Sequence, residues 1–386
     1  MAARSSLATH AAPPHGPSVL ISGAGFAGLA TAWWMNRLGY RVTVVEIANA
    51  LRRGGTPVDI EGETIDVLAR MGMLDAVRAR ALPPRSVAFK NADDTTAGEL
   101  PAQPPAQGEQ YEIHRDDLSA ILFAAVADEI EIIFGRSIVG LDDGADGVSV
   151  TFDDGSKADY TLVIGCDGNR SKTRRLAFAE AEMSSRFMGG YFFIKVVAET
   201  GLLPANVTEI FSLPGRTALL NGYEDRTDIA LAFRSDRAID YDHRDRAAQR
   251  AMIHDHFAGI GWKVPAILAH LDADDDFYFD ELNQIRMPDW SKGRIALVGD
   301  AGYCLSPLAG MGGSMALIGA ARLADALGRH RNDHVAAFRD YHEGLRAFVR
   351  DVQEKAITQG MAMMFPADET ELAERDECIR AGTFDV

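Results

Sequence analysis

The chain switches between two kinds of apolar pattern. Short unbroken runs such as Val19-Leu20-Ile21 and Val42-Thr43-Val44-Val45 predict buried parallel strands. Longer stretches with apolar residues at helical spacing predict amphipathic helices. A small-residue helix is predicted over 27–38 and another over 61–80, where Ile65, Leu68, Met71 and Leu74 recur near helical spacing. Residues 130–134 predict a further parallel strand. A three-stranded antiparallel ribbon follows over 137–142, 147–152 and 157–160, with Asp153-Asp154-Gly155 as its second turn, and 161–164 return to the parallel sheet.

From residue 188 to 233 the pattern turns to extended runs at 191–197, 207–213, 217–223 and 229–233, separated by turn residues. These predict an antiparallel sheet in a separate layer. Helices are predicted at 246–257 and 265–269, a strand at 294–298, and a long helix over 334–364 with an apolar stripe through Val335, Phe338, Leu345, Phe348, Val349 and Val352. Residues 97–108, rich in Pro and Gln, read as loop. The fold class is α/β: a Rossmann-like nucleotide domain with an inserted antiparallel-sheet substrate domain and a long C-terminal helix. The nucleotide domain is expected in three pieces, 18–80, 106–178 and 284–329. The substrate domain takes 81–105 and 179–283, and 330–386 form a C-terminal helical region. Residues 1–17, with Arg, Ser, Ala and Pro but no acid, read as a disordered leader.

Bulk properties narrow the partners. With 386 residues, two or three domains are expected. A net charge of -17 argues against a nucleic-acid or anionic-membrane surface. No segment reaches the roughly 18 apolar residues of a membrane span. Cys166, Cys304 and Cys378 lack metal-ligand spacing, which predicts no metal and fits a reduced, cytoplasmic compartment. A monomer is expected.

The chemistry begins at Gly23-Ala24-Gly25-Phe26-Ala27-Gly28, a Gly-x-Gly-x-x-Gly turn between strand and helix. Gly23 permits the tight turn, Gly25 lets a pyrophosphate approach the backbone, and Gly28 lets helix and strand pack closely, with the small Ala27 beside it. The helix N-terminus favours an anion. Glu46, 18 residues after Gly28 at the tip of the next strand, is placed to accept ribose hydroxyls. The turn alone leaves NAD and FAD both open. Two further strands end in small acidic turns, Gly165-Cys166-Asp167-Gly168 and Val298-Gly299-Asp300-Ala301, the second leading to Ser306-Pro307-Leu308-Ala309-Gly310-Met311-Gly312-Gly313. Ligands in open α/β sheets lie at such strand ends.

With these three motifs in order, the chain resembles the class A FAD-dependent monooxygenases of the aromatic hydroxylase type, over about residues 18–330. Asp167-Gly168 matches that family's DG motif and Gly299-Asp300 its GD motif, whose Asp contacts the ribitol of FAD. Within the family it is most similar to the tetracycline-inactivating flavin monooxygenases. Arg52-Arg53-Gly54-Gly55 with Val58-Asp59-Ile60, the stretch Asp276-Phe277-Tyr278-Phe279-Asp280 and the 299–308 segment carry that likeness. Two departures are Gly310-Met311-Gly312, where the family has Gly-Gln-Gly, and Ser314, where it has Asn.

The resemblance implies FAD as cofactor, NADPH or NADH as transient reductant, O2 as co-substrate and an aromatic or polyketide-like small molecule as substrate, a tetracycline type among the candidates. It implies oxygen transfer through a flavin C4a-hydroperoxide, with no catalytic protein nucleophile. Arg115 would contact the FAD diphosphate region, and Arg53 (or Arg52) flavin or NADPH. Asp59 would line the flavin site, Pro307 would wall the ring, and the amides of Gly312 and Gly313 would face its reducible edge. For substrate contact the candidates are Lys195, Phe193, Phe211, Arg234 and Met311. Strand alternation leaves Lys195 and Arg234 between cavity and solvated face, and Phe193 and Phe211 between cavity wall and core. A flavin-dependent reductase of the same fold and a non-catalytic, ligand-sequestering flavoprotein remain alternatives.

Overall fold

The structure, a computed structural model, describes residues 16–52, 54–102, 109–331 and 333–381. The expected leader at 1–15 and the candidate Arg53 lie outside the described residues.

The chain opens with β1 (Ser18–Ser22), α1 (Phe26–Arg37) and β2 (Arg41–Glu46). A small ribbon strand, β3 (Val58–Glu61), precedes α2 (Glu63–Arg70) and α3 (Leu74–Arg78). The single helix expected over 61–80 is therefore two. Gly72, at φ +70, ends α2. Its amide donates to Ala69 and that of Met73 to Leu68, the paired bonds of a Schellman stop. Next come β4 (Ser86–Lys90), β5 (Thr96–Leu100), β6 (Gln110–Ile113) and α4 (Arg115–Ala124). β5 corrects part of the loop expected at 97–108.

The expected ribbon follows β7 (Glu131–Phe134) as β8 (Ile138–Asp143), β9 (Val148–Phe152) and β10 (Lys157–Tyr160). β11 (Leu162–Gly165) and α5 (Lys172–Ala177) return the chain to the first domain. The inserted sheet is built from β12 (Ser184–Val197), β13 (Val207–Leu213), β14 (Arg216–Gly222) and β15 (Thr227–Arg234), then α6 (Arg246–Phe257), α7 (Val264–Ala273) and β16 (Tyr278–Arg286). The chain ends with β17 (Ser291–Lys292), β18 (Ile295–Leu297), α8 (Asp300–Tyr303), α9 (Gly312–Arg329), α10 (His334–Lys355), α11 (Met361–Met364) and α12 (Glu369–Ala381). A π-helical turn at Ala356–Gly360 joins α10 to α11.

Two sheets organise the molecule. The first has the order β17-β18-β11-β1-β2-β7 and is parallel except for β17. Ser22 pairs with Gly165, and Gly165 with Leu297. The three motif turns therefore emerge side by side at the carboxyl ends of β1, β11 and β18. The second sheet has the order β16-β12-β15-β14-β13-β4-β5. The expected boundary at 283/284 falls inside β16.

One face of the seven-stranded sheet carries Tyr191, Phe193, Phe211, Leu231 and Phe233, which pack with Ile253, Phe257 and Ile267 of the covering helices α6 and α7. The other face looks toward the nucleotide domain and the C-terminal segment. Along an interior strand, successive side chains alternate between these faces.

Candidate active site

Three glycines behave differently in the first turn. Gly23 has φ +105, and a Cβ there would lie 2.4 Å from the Cys166 carbonyl oxygen. A Cβ on Gly28 would lie 1.8 Å from the Gly23 carbonyl oxygen. Both positions are closed to any side chain. A Cβ on Gly25 would meet nothing within 4 Å. That residue caps α1 without a side-chain bond, so the first amides of the helix face open space. An anion fits there because uncapped amides and the helix dipole both attract negative charge.

Glu46 is buried, and its two carboxylate oxygens accept the amides of Ala24 at 2.8 Å and Ala48 at 2.9 Å. These bonds hold the acid at the mouth of the first turn and leave each oxygen with further acceptor capacity.

The DG turn is held by its own aspartate. Asp167 accepts the Ser171 hydroxyl at 2.5 Å, the Thr173 amide at 2.9 Å and the Thr173 hydroxyl at 3.0 Å. Arg174, buried, donates to the carbonyls of Ala301 at 2.7 Å and Asn169 at 2.6 Å. It thereby bolts the DG turn to the GD turn. Sequence reasoning missed Arg174, six residues beyond Gly168.

Asp300 begins α8 after Gly299, which has φ +67. Its side chain opens onto the cleft, and protein encloses it elsewhere. That enclosure pushes its carboxyl above the usual range, while Arg115, Cys304 and Arg174 act in the opposite direction. Burial lowers the Arg115 guanidinium, and Asp300 is the largest of the groups that restore it. Arg115 lies over the Phe26 ring at 4.6 Å. Its stem leaves no space for a Cβ at Gly55, whose φ is +105. The neighbouring Gly54 amide donates to Asp116 at 2.8 Å. Neither Arg115 nor Asp300 has an ion-pair partner among the described residues.

The long helix α9 starts at Gly312 with no side-chain cap on Met311. A Cβ on Gly312 would meet nothing within 4 Å, and one on Gly313 would meet Val58 at 3.2 Å. The Ser314 hydroxyl donates to the Asp59 carbonyl at 2.9 Å, tying the helix start to β3. The Asp59 side chain is exposed. Its carboxyl is raised to about 6 by burial of its surroundings first, then by Glu112 and Glu61, with Arg85 opposing. Pro307 is exposed at the start of the turn before α9, and Met311 is half-buried against the main core. Ser306 holds φ +80, a left-handed conformation costly for a residue with a side chain.

These residues fit a dinucleotide with a long polyol arm. Open amides at α1 and α9 suit anionic groups at two ends. Arg115 and Asp300 between them offer one donor set and one acceptor set, neither held in an ion pair among the described residues. Among the described residues no acid–histidine–cysteine cluster could hold a metal, and no helix is long and apolar enough to cross a membrane.

The substrate candidates are sorted by sheet face. Lys195 is buried on the helix-covered face and donates to Asp274 at 2.5 Å. Phe193 stands beside Phe277 and Phe211 beside Trp262, in the same covered core. These three are corrected: odd-numbered positions of β12 and β13 point away from the cleft. Arg234 lies on the cleft-side face, but it donates to the Phe365 carbonyl at 3.1 Å and pairs with Glu371 at 3.6 Å. It anchors the C-terminal segment.

Sequence reasoning missed a second polar group. Tyr278 on β16 donates to Asp280 at 3.0 Å, and Asp280 accepts Arg170 of the DG loop at 2.5 Å. The 276–280 stretch had been singled out, but without a role. Behind β3 and β6, Arg85 donates to Glu112 at 2.6 Å, Thr208 at 3.2 Å and Tyr223 at 3.2 Å. Beside them Asp228 is buried, and neither carboxylate oxygen has a hydrogen-bond partner of proper geometry among the described residues.

The family model of the FAD binding domain matches residues 17–356. A flavin-dependent monooxygenase from an unidentified prokaryote is 36% identical over 370 residues, 94% of this chain and 94% of its own. An uncharacterised protein of Mycobacterium tuberculosis (strain H37Rv) is 39% identical over 341 residues, 86% of this chain and 90% of its own. The crystal structure of the tetracycline destructase Tet(55) superposes with a TM-score of 0.84 at 33% identity, covering 96% of each chain. The fold and site therefore define a class A flavoprotein monooxygenase. The chain belongs to the FAD binding domain family, and it is an FAD-dependent oxidoreductase.

Proposed function

We propose that this enzyme consumes NAD(P)H and O2 to hydroxylate an aromatic or polyketide-like small molecule, with tetracycline-type rings as the first candidates. The observation that carries this reading is the conjunction of Arg115 and Asp300 in the cleft with an uncapped α9 amide terminus beside the seven-stranded sheet. The likeness to Tet(55) directs it toward multi-ring substrates.

The residues divide the work as follows. The α1 amides after Gly25 would hold the diphosphate, Glu46 would accept the adenosine ribose hydroxyls, and Asp300 would accept ribitol hydroxyls. Arg115 adds a cation beside the diphosphate. The amides of Gly312 and Gly313 would donate to negative charge on the bound flavin, with Pro307 in the loop before them. FAD, when bound, supplies reductive activation of O2 and oxygen transfer. The protein contributes orientation and exclusion of water. No side chain is assigned as nucleophile.

The test is steady-state turnover of the FAD-loaded protein with NADPH, then NADH, against a panel of tetracyclines and simple phenols. Substrate-dependent O2 uptake supports the reading. Reductant oxidation that adds hydrogen to the substrate without O2 uptake overturns it in favour of a reductase, and silence toward every reductant favours a sequestering protein.

A further inference from the structure

The cleft-side face of the seven-stranded sheet is not uniform. Register pairs Tyr278 with Ile194, Ile194 with Ala230, Ala230 with Leu219, Leu219 with Ile210, and Ile210 with Phe89. These six positions form one straight row across the strands. Interior strands of a covered sheet normally bury such a row completely. Here Ile194, Ala230, Leu219 and Ile210 are all half-exposed, and among the described residues none of the four joins an apolar cluster.

The rows on either side are covered. On one side Phe192 and Ala232 pack with Met361, Phe365 and Leu308, and Thr217 donates to the Met364 carbonyl at 2.5 Å. On the other side Asn221 and Thr208 are bonded into the Arg85–Tyr223 group, and Asp228 is buried beside them. The bare row is thus a trough with one apolar wall, one polar wall and an apolar floor.

The trough is continuous with the cofactor cleft. Tyr278 at its head is within electrostatic reach of Arg115 and Asp300. Leu308 and Ala309, in its apolar wall, belong to the loop before α9. Strands lie roughly 4.8 Å apart, so the floor from β16 to β14 extends about 14 Å. One aromatic ring would cover about one strand spacing of that floor. A linear multi-ring molecule would have to pass over β15, where Ala230 carries only a methyl group between Ile194 and Leu219.

We propose that Ala230 is a specificity-determining residue: its small side chain lets an extended, flat, multi-ring substrate lie along this trough, away from the cofactor end. The assignment rests on the monooxygenase reading above. A single-ring phenol sits at the Tyr278–Ile194 end and is indifferent to residue 230.

The experiment uses the FAD-loaded protein and isothermal titration with tetracycline and with resorcinol, so that binding is read without turnover. In Ala230→Phe the tetracycline Kd rises about tenfold or more, while that of resorcinol stays within about twofold and the FAD-to-protein ratio is unchanged. Leu219→Phe, one strand further along, has the same discriminating effect and serves if Ala230→Phe fails to bind FAD. Equal losses for both ligands, or an unchanged tetracycline Kd, overturn the trough and leave the monooxygenase reading standing. A wild-type protein that binds resorcinol but not tetracycline also overturns the trough alone. One that binds neither also overturns the trough, and the turnover panel decides the monooxygenase reading separately.

Discussion

Asp280 accepts the Arg170 guanidinium at 2.5 Å through one carboxylate oxygen and the Tyr278 hydroxyl at 3.0 Å through the other. A loop of the nucleotide domain is thereby linked to the cleft-side face of the inserted sheet. The Asp280 side chain is 8% exposed and that of Arg170 is 42% exposed. Removing the acid therefore costs less than breaking a fully buried pair. Asp280→Ala is expected to lower unfolding free energy by about 1–2 kcal/mol in urea titrations. Tyr278→Phe, which keeps the ring, is expected to cost less than about 1 kcal/mol.

The glycine turn separates folding from cofactor binding. Gly28→Ala places a Cβ against the Gly23 carbonyl, and the backbone must move. We expect loss of soluble, folded protein in expression trials. Gly25→Ala meets open space at φ -78, which alanine adopts readily. This variant is expected to keep its melting temperature without FAD and to bind FAD about tenfold more weakly by equilibrium dialysis.

Asp300→Ala removes a carboxylate that has no ion-pair partner among the described residues and that faces the charges of Arg115 and Arg174. Its fold should be intact by circular dichroism. FAD affinity should fall by about tenfold or more, since a charge-assisted hydrogen bond contributes about 1.5–3 kcal/mol. Normal FAD affinity in this variant would remove Asp300 from the site.

Asp228 makes stability depend on pH. Burial is the main cause that raises its carboxyl to about 7, with Glu112 adding to the rise, while Arg226, Tyr223 and Arg85 oppose it. The folded protein thus keeps a proton that the unfolded chain releases above about pH 4. The associated stability is complete below pH 4, falls as pH rises toward 7 and levels off above it, a loss on the order of 4 kcal/mol. Asp228→Asn abolishes this component. Urea unfolding at pH 5 and pH 8 should show a smaller difference for the variant than for the parent protein.

The parallel sheet was legible because its strands are buried on both faces and read as unbroken apolar runs, as in Val19-Leu20-Ile21 and Leu162-Val163-Ile164. The four central strands of the inserted sheet were legible as extended runs separated by turn residues. β16 was not, because its cleft-side positions Asp280 and Gln284 are polar yet buried, and their partners (Arg170, and the Leu305 and Gln353 carbonyls) come from distant segments. The same fact hid the Asp280–Tyr278 pair. Lys195 shows the same limit: alternation left this cation between cavity and solvated face, but Asp274, 79 residues away, holds it on the covered face. The tight packing at Gly23 and Gly28 was legible from the glycine motif because these steric demands are local. The proposed substrate trough depends on the register of six strands, which no local pattern carries.

The most direct test of the account is an isotope experiment on the FAD-loaded enzyme with NADPH, tetracycline and labelled O2. The account predicts reductant oxidation that depends on substrate, and a product heavier by one oxygen atom that carries the label. A product without labelled oxygen, or one gaining only hydrogen while O2 is untouched, would contradict it.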